Sequence, residues 1–412
     1  MNKPINLFSA AHHQNPYPDY EYLRENAPVY KSTDAQGNYM WVVTRYQEVI
    51  NAFKDPRLIK DSRQLATTTQ TRERLQRQQQ SREFRILNHN MLSFDPPTHT
   101  RLRSLVSKAF TPRRVEELRP RVAQIADTLL DNMAEHGNGT LDLLDAYAFP
   151  LPIQVICELL GIPVQDRQHF RQWSNSIVDG TGPNEDQMVN RREGAASFIA
   201  YIEKFIEQRR AKPTGDLVSA LIQAEEAGDK LNQDELIAML WLLILAGHET
   251  TVNLIGNGML ALFQNPEQFA RLKAQPALIK SAVEEFLRFN GSVETSTIRF
   301  AAEDLELAGQ PIAKGDPVLL VIAGADHDPA IFASPEQLEL NRAENPHLAF
   351  GYGPHYCLGA PLARLEGQIA LSKLLERFPN ISLAVAPEEL IWRPNLLLRG
   401  LRSLPVKLGQ RD

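Results

Sequence analysis

The stretch that most constrains this chain runs from about Asn232 to Phe263, where helical periodicity continues without a single proline. At ~1.5 Å per residue it predicts a rod of roughly 48 Å, long enough to cross a whole domain. Asn232 followed by Glu235 has capping-box spacing, each side chain able to satisfy a backbone donor at the helix start. The centre, "LIAMLWLLILAG" at 236 to 247, is apolar on every face, so burial is expected. The run is too short for the ~20 apolar residues of a membrane span and reads as core. Into that core the sequence sets "AGHETT", residues 246 to 251. A carboxylate and hydroxyls in a dry helix are costly unless paired or used. One reading has Thr250 bonding back to its own helix and Glu249 meeting a basic partner. The other has Gly247 admitting a flat ligand beside a Glu249–Thr250 proton relay. His248 lies about 200° around the helix from Thr250 and is expected to face away from such a site.

Helical periodicity dominates up to about residue 290, and strand-like stretches are short: "MWVVTR" at 40 to 45, "PVLLVIA" at 317 to 323 and "SLPVKL" near the C-terminus. A mainly α chain with small β-sheets follows. With 43% hydrophobic and 23% charged residues and a net charge of −6, the composition is that of a water-soluble globular protein with no general affinity for nucleic acid. The arginine-rich stretch 71 to 90 is read as a solvated lid or loop rather than a nucleic-acid arm. The first twenty residues carry no signal-peptide core and no membrane anchor, so the cytoplasm is expected. Cys157 and Cys357 are 200 positions apart and form no CxxC pair, which excludes a disulfide framework and a zinc ribbon. Cys157, in "LPIQVICELLGIP", reads as a small buried hydrophobe.

Cys357 is different. It follows Gly351 and Gly353, which permit a tight turn, and precedes "LGAPLARLEGQIALSKLL", where Leu358, Leu362, Leu365 and Ile369 recur at helical spacing. A sulfur at a helix N-terminus is stabilised as thiolate and can act as nucleophile or metal ligand. His355, only two residues away on a turn, is poorly placed as a general base, and no set of four zinc ligands is visible. A single thiolate suits the axial position of haem iron.

"FGYGPHYCLG" resembles the haem-binding loop of the cytochrome P450 family, with Phe350, Gly351, Gly353, His355, Cys357 and Gly359 at the motif positions. "AGHETT", "EEFLRF" and "HTRLR" resemble three further signatures of the family, in the family's order. The resemblance implies the triangular cytochrome P450 fold, α-rich around a long central helix, as a single domain over 1–412. It implies haem b with Cys357 as its axial thiolate, Glu249 and Thr250 as acid and alcohol of oxygen activation, and Ala246 against the haem. His99, Arg103, Arg299 and His355 take the propionate-binding positions, and Glu285, Arg288 and Arg342 a structural triad. Met91, Leu92, Leu243, Ala246, Val293, Thr295 and Leu398 would line a pocket for a lipophilic small molecule. The activity implied is insertion of one atom of dioxygen into a C–H or double bond, with electrons from a ferredoxin-type donor to a monomeric enzyme. A donor face is expected at Arg101, Lys108, Arg113 and Arg114. The alternatives are a peroxygenase, whose relatives tend to lack the acid and alcohol pair, and a haem sensor without turnover. One departure stands out: "DHDP", Asp326 to Pro329, replaces the Asn-Arg-Asp-Pro of many relatives.

Overall fold

The computed structural model describes residues 5–33, 37–65, 82–135, 139–167, 169–170, 173, 185–224 and 228–409. They group into two compact units: Met1–Ile59, Arg119–Leu151 and Glu249–Asp412 form the first, Lys60–Leu118 and Pro152–His248 the second.

The first unit is organised by a five-stranded sheet. Its strands are β1 (Val29–Thr33), β2 (Tyr39–Val43), β3 (Leu58–Ile59), β5 (Arg299–Ala301) and β8 (Pro317–Leu320), in the order β1-β2-β8-β5-β3. The stretches read as strands at 40 to 45 and 317 to 323 are parallel neighbours, with Trp41 opposite Val318 and Val43 opposite Leu320. The second stops early: Ile322–Ala325 turns into a short helix. β1 completes an antiparallel hairpin with β2, Val29 opposite Val43. Its alternation "VYKST" is too polar to have been legible as a strand. Val43, Val318 and Leu320 pack with Tyr46, Val49 and Phe53 of the helix Tyr46–Lys54 into one apolar cluster. β6 (Leu305–Leu307) and β7 (Gln310–Ile312) form a hairpin, and β4 (Thr140–Asp142), β9 (Ser382–Leu383) and β10 (Pro405–Lys407) a small antiparallel sheet that contains the predicted C-terminal strand. Helices Arg119–Glu135 and Ile279–Asn290 both pack on Ala360–Arg377.

Glu366 sits inside that last helix, 1% exposed, and its Oε2 has no hydrogen-bond partner among the described residues. Burial pushes its carboxyl well above the usual range. The folded state therefore holds a proton that the unfolded chain releases above its ordinary pKa of 4.5. Stability falls as pH rises from there, by up to about 1.4 kcal/mol per pH unit. Glu366→Gln removes the titrating group at nearly constant volume. Urea unfolding at pH 5 and pH 8 is expected to show the variant gaining on the parent as pH rises; a parallel pH dependence would contradict a protonated Glu366.

The second unit is helical. Helix Glu185–Ala211 packs against Leu217–Gln223 and Arg82–Asn88, and Leu217–Gln223 against Thr98–Ala109. Asp216 caps Leu217–Gln223 through the Ser219 amide and pairs with Arg209. Of the arginine-rich stretch, residues 71–81 lie outside the described residues, but Arg82–Asn88 is a helix that buries Ile86 and Leu87, with Arg82 on Glu203. That part is packed structure, not the solvated loop expected, because two adjacent aliphatic side chains gave it a buried face.

The long helix spans Gln233–Gln264. Its capping box is complete: Glu235 N donates to Asn232 Oδ1 and Asn232 N to Glu235 Oε2, both at 2.9 Å. It is long and apolar enough to cross a membrane, yet 67% of its most apolar stretch is buried inside the protein. Residues through His248 belong to the second unit and those from Glu249 to the first.

Candidate active site

The cysteine loop is built by two left-handed glycines. Gly351 has φ +68° and Gly353 φ +74°, a region that costs any other residue about 1–2 kcal/mol. A Cβ on Gly353 would also press within 3.2 Å of the Phe53 carbonyl oxygen. The turn is closed by Cys357 N donating to Phe350 O at 2.9 Å. Helix Ala360–Arg377 starts three residues later, and the Cys357 thiol is exposed at that end. A Cβ on Gly359 would lie 3.8 Å from Cys357 Sγ, so the sulfur's flank is left narrow.

Carboxylates and cations fix the loop from behind. Arg364 donates to both oxygens of Glu284, at 2.7 and 2.8 Å, and its guanidinium lies 4.4 Å from the Phe350 ring centre. His347 Nε2 reaches the same carboxylate at 3.0 Å. Burial alone would raise Glu284, but the hydrogen bonds from His347 and Arg364 outweigh it and hold the carboxyl down at about 2. Leu348 N donates to Asp326 at 2.7 Å, and Tyr46 N to Asp328 at 2.9 Å. Both aspartates of "DHDP" therefore serve as backbone anchors. Burial pushes Asp326 up to about 7 and His327 down to about 3. Glu285, Arg288 and Arg342 form one network beside this loop, with Arg288 on Glu285 at 2.8 Å and Arg342 on Glu285 at 3.1 Å.

Arg299 is buried in the same unit, donating through Nη1 to Leu58 O at 3.1 Å, with its guanidinium 5.3 Å from the centre of the Phe53 ring. His355 is half-buried on the one-turn helix Gly353–His355. Val293 and Leu398 are opposite one another in an isolated bridge, both half-buried. Thr295 departs from the pocket role expected of it. It is 1% exposed, and its hydroxyl is spent on Leu396 O at 2.9 Å, so it ties two backbone segments together.

Glu249 is buried and paired with Arg393, a partner 144 residues away that no spacing rule could have supplied. The bland reading of the acid, a salt-bridged carboxylate, is thus realised next to a half-buried Thr250. In the second unit, Leu243 is half-buried and Ala246 exposed on a helix otherwise mostly buried. A Cβ on half-buried Gly247 would lie 3.4 Å from Ile156 Cδ1, an ordinary van der Waals distance. His248 is fully buried, its Nδ1 3.3 Å from Ile244 O. Helix Thr98–Ala109 carries His99 and Arg103 one turn apart. Burial first, then the charge of Arg103, lowers the His99 pKa. Met91 is buried at the head of the short helix Met91–Ser93, and Leu92 is half-buried. Arg101 is committed to Asp229 and Glu235, which removes it from the expected donor face. Arg113 is exposed and pairs with Glu117.

An exposed thiol on a glycine-built turn, with buried Arg299 and half-buried His355 in the same unit, is a donor set for an iron porphyrin and its carboxylates. Among the described residues no group of three or more His, Cys, Asp or Glu could hold a metal ion by itself. Fold and cysteine loop together define a haem-binding oxidoreductase. The family model for Cytochrome P450 matches residues 5–391. Cytochrome P450 monooxygenase PikC of Streptomyces venezuelae is 44% identical, the match covering 95% of this chain and 91% of PikC. Polyketide biosynthesis cytochrome P450 PksS of Bacillus subtilis is 44% identical over 97% of both chains. The solved PksS structure superposes with a TM-score of 0.90 over the full length of both chains, at 42% identity. A myxobacterial cytochrome P450 in complex with myristic acid gives 0.90 at 39% identity, covering 98% of this chain and 99% of its own. The chain belongs to the cytochrome P450 family. It is a haem-thiolate monooxygenase that inserts one atom of dioxygen into an organic substrate.

Proposed function

We propose that both units act as one catalytic domain, in which Cys357 holds haem b and the substrate is a medium or large lipophilic molecule of polyketide, terpenoid, steroid or fatty-acid type. When bound, the haem supplies oxygen activation, and the thiolate's electron donation favours O–O cleavage. Phe350, Gly351 and Gly359 shape the loop around the sulfur, and Ala246, His99, Arg103, Arg299 and His355 would hold the haem, the last four through its propionates. Glu249, oriented by Arg393, and Thr250 pass protons inward, and the apolar central helix keeps bulk water away from that path. Met91, Leu92, Leu243, Val293 and Leu398 offer an apolar lining, which fits a lipophilic ligand. PksS is named for polyketide biosynthesis, and the myxobacterial relative was solved with a fatty acid, in keeping with that substrate class. Electrons come from a ferredoxin-type donor in the cytoplasm, and the enzyme works as a monomer.

The observation that carries this reading is the exposed thiol at the head of helix Ala360–Arg377 in a chain that also holds a carboxylate beside a hydroxyl in its central helix. That acid and alcohol pair favours dioxygen over peroxide as oxidant. Thr250→Ala tests it. The hydroxyl is needed neither for haem binding nor for ligand binding nor for reduction, so all three are expected to persist. Product formed per cofactor oxidised is expected to fall about tenfold, with the lost flux appearing as hydrogen peroxide. The fall is smaller than the roughly 10²–10⁴-fold of a whole proton-transfer group because Glu249 remains. Full coupling in the variant would leave Glu249 and ordered water as the relay.

A further inference from the structure

A buried polar network in the first unit stands directly behind the segment that carries Val293, and the proton relay has no use for it. Glu294 lies between Val293 and Thr295, each of which forms an isolated bridge, with Leu398 and Val321 respectively. It is 1% exposed. Its carboxylate accepts from the Tyr20 hydroxyl at 2.5 Å, with Arg399 Nη1 at 3.8 Å and His12 Nε2 at 3.7 Å. His12 is itself buried and fixed at both ring nitrogens, 2.9 Å from Asp19 and 3.2 Å from the Tyr20 hydroxyl. Tyr20 and His12 belong to the helices Tyr17–Asn26 and Ala10–Gln14, so the head of the chain is locked onto a loop almost 300 residues away.

The same network sets the backbone of both segments. Glu294 N donates to Leu397 O at 2.9 Å, Arg399 N to Ser292 O at 3.0 Å, and Ala323 N to Glu294 O at 3.0 Å. Arg399 Nε donates to Asn290 Oδ1 at 2.9 Å and Nη1 to His13 O at 3.2 Å, while the guanidinium stacks 3.8 Å from the Trp392 ring centre. Asn257, two turns beyond Thr250 on the central helix, donates to Asn290 O and Arg399 O, both at 3.0 Å. Apolar packing alone tolerates small slides, whereas a buried ionic and hydrogen-bonded network is satisfied in one arrangement only. Here that arrangement fixes the spacing between the 292–296 and 396–399 segments, and so the relative position of Val293 and Leu398.

We infer that Glu294 and Arg399 are positioning residues that set the enzyme's ligand preference through the placement of Val293 and Leu398, and that Tyr20 and His12 of the N-terminal helices are their anchor. This rests on the reading above that Val293 and Leu398 line the pocket. Removing one partner leaves a buried carboxylate short of a donor, and the segment must move to satisfy it. Because a pocket distinguishes a single methylene by about tenfold or more, a small displacement of its lining reorders ligands.

The test uses the haem-loaded full chain and two probes, imidazole and 4-phenylimidazole, titrated by the haem spectral shift, with the thermal midpoint measured alongside. The compared quantity is the ratio of the two dissociation constants, since general destabilisation lowers the midpoint without favouring one azole. Tyr20→Phe and Glu294→Gln are each expected to change that ratio about fivefold or more while imidazole itself binds within about twofold of the parent. Should Glu294→Gln fail to fold, Tyr20→Phe, which deletes only a hydroxyl, still decides. Val293→Phe is the control on the pocket reading. If Val293→Phe shifts the ratio and the network variants leave it unchanged, the positioning role is wrong and the pocket assignment survives. An unchanged ratio in Val293→Phe as well would overturn the pocket assignment, and the inference with it.

Discussion

Arg288→Leu is expected to lower the stability of this protein by about 3–5 kcal/mol, the range for breaking a buried ion pair by removing one partner. Its side chain and that of Glu285 are both 0% exposed. Arg288 donates twice to Glu285 at 2.8 Å, and to the carbonyls of Asp326, Pro335 and Gln337 at 3.0, 2.8 and 3.1 Å. Glu285 also accepts from Arg342, from Asn345 at 3.2 Å and from the Glu339 amide at 2.9 Å. Removing the guanidinium leaves the carbonyls of Asp326, Pro335 and Gln337 without this donor and takes away the carboxylate's two shortest bonds. A natural protein has only about 5–15 kcal/mol in hand, so soluble expression should drop as well. Urea unfolding measures the effect, with Arg288→Lys as comparison. Lysine keeps the charge but cannot reproduce the fork, so it should recover only part of the loss. A loss under about 1 kcal/mol in Arg288→Leu, the scale of an exposed pair, would mean the network is not holding the loop.

That contrast shows where sequence reading runs out. A glutamate and an arginine three apart look the same on a wet helix face as in a core, and only the carbonyls at 326, 335 and 337 reveal which this is. The central helix was legible to within a residue because its signals are local: Asn232 and Glu235 cap each other, and its apolar run has no polar face. The cysteine loop was legible because its glycines act through their own backbone torsions. Arg393 on Glu249, Tyr20 on Glu294 and Arg364 on Glu284 were not, since each joins elements 80 or more positions apart.

The two cysteines make the sharpest comparison. Cys157 has no exposed surface, and burial pushes its thiol up to about 12, so at neutral pH it stays protonated. It packs as a small apolar side chain, and Cys157→Ser is expected to cost about 1–3 kcal/mol through a buried hydroxyl without reaching the haem. Cys357 is exposed, preceded by two left-handed glycines and followed by the N-terminal end of an 18-residue helix whose unpaired amides favour negative charge at the sulfur. Cys357→Ser preserves size and the Phe350 carbonyl bond, which is made by the main chain. Folding should survive. An alcohol remains protonated where a thiol ionises, so the strongly red-shifted carbon monoxide spectrum of a thiolate-bound haem should vanish and monooxygenase turnover with it. The spectrum of reduced protein under carbon monoxide reads both variants directly. Loss of the signature in Cys157→Ser and its persistence in Cys357→Ser would place the iron on the other sulfur and overturn the assignment.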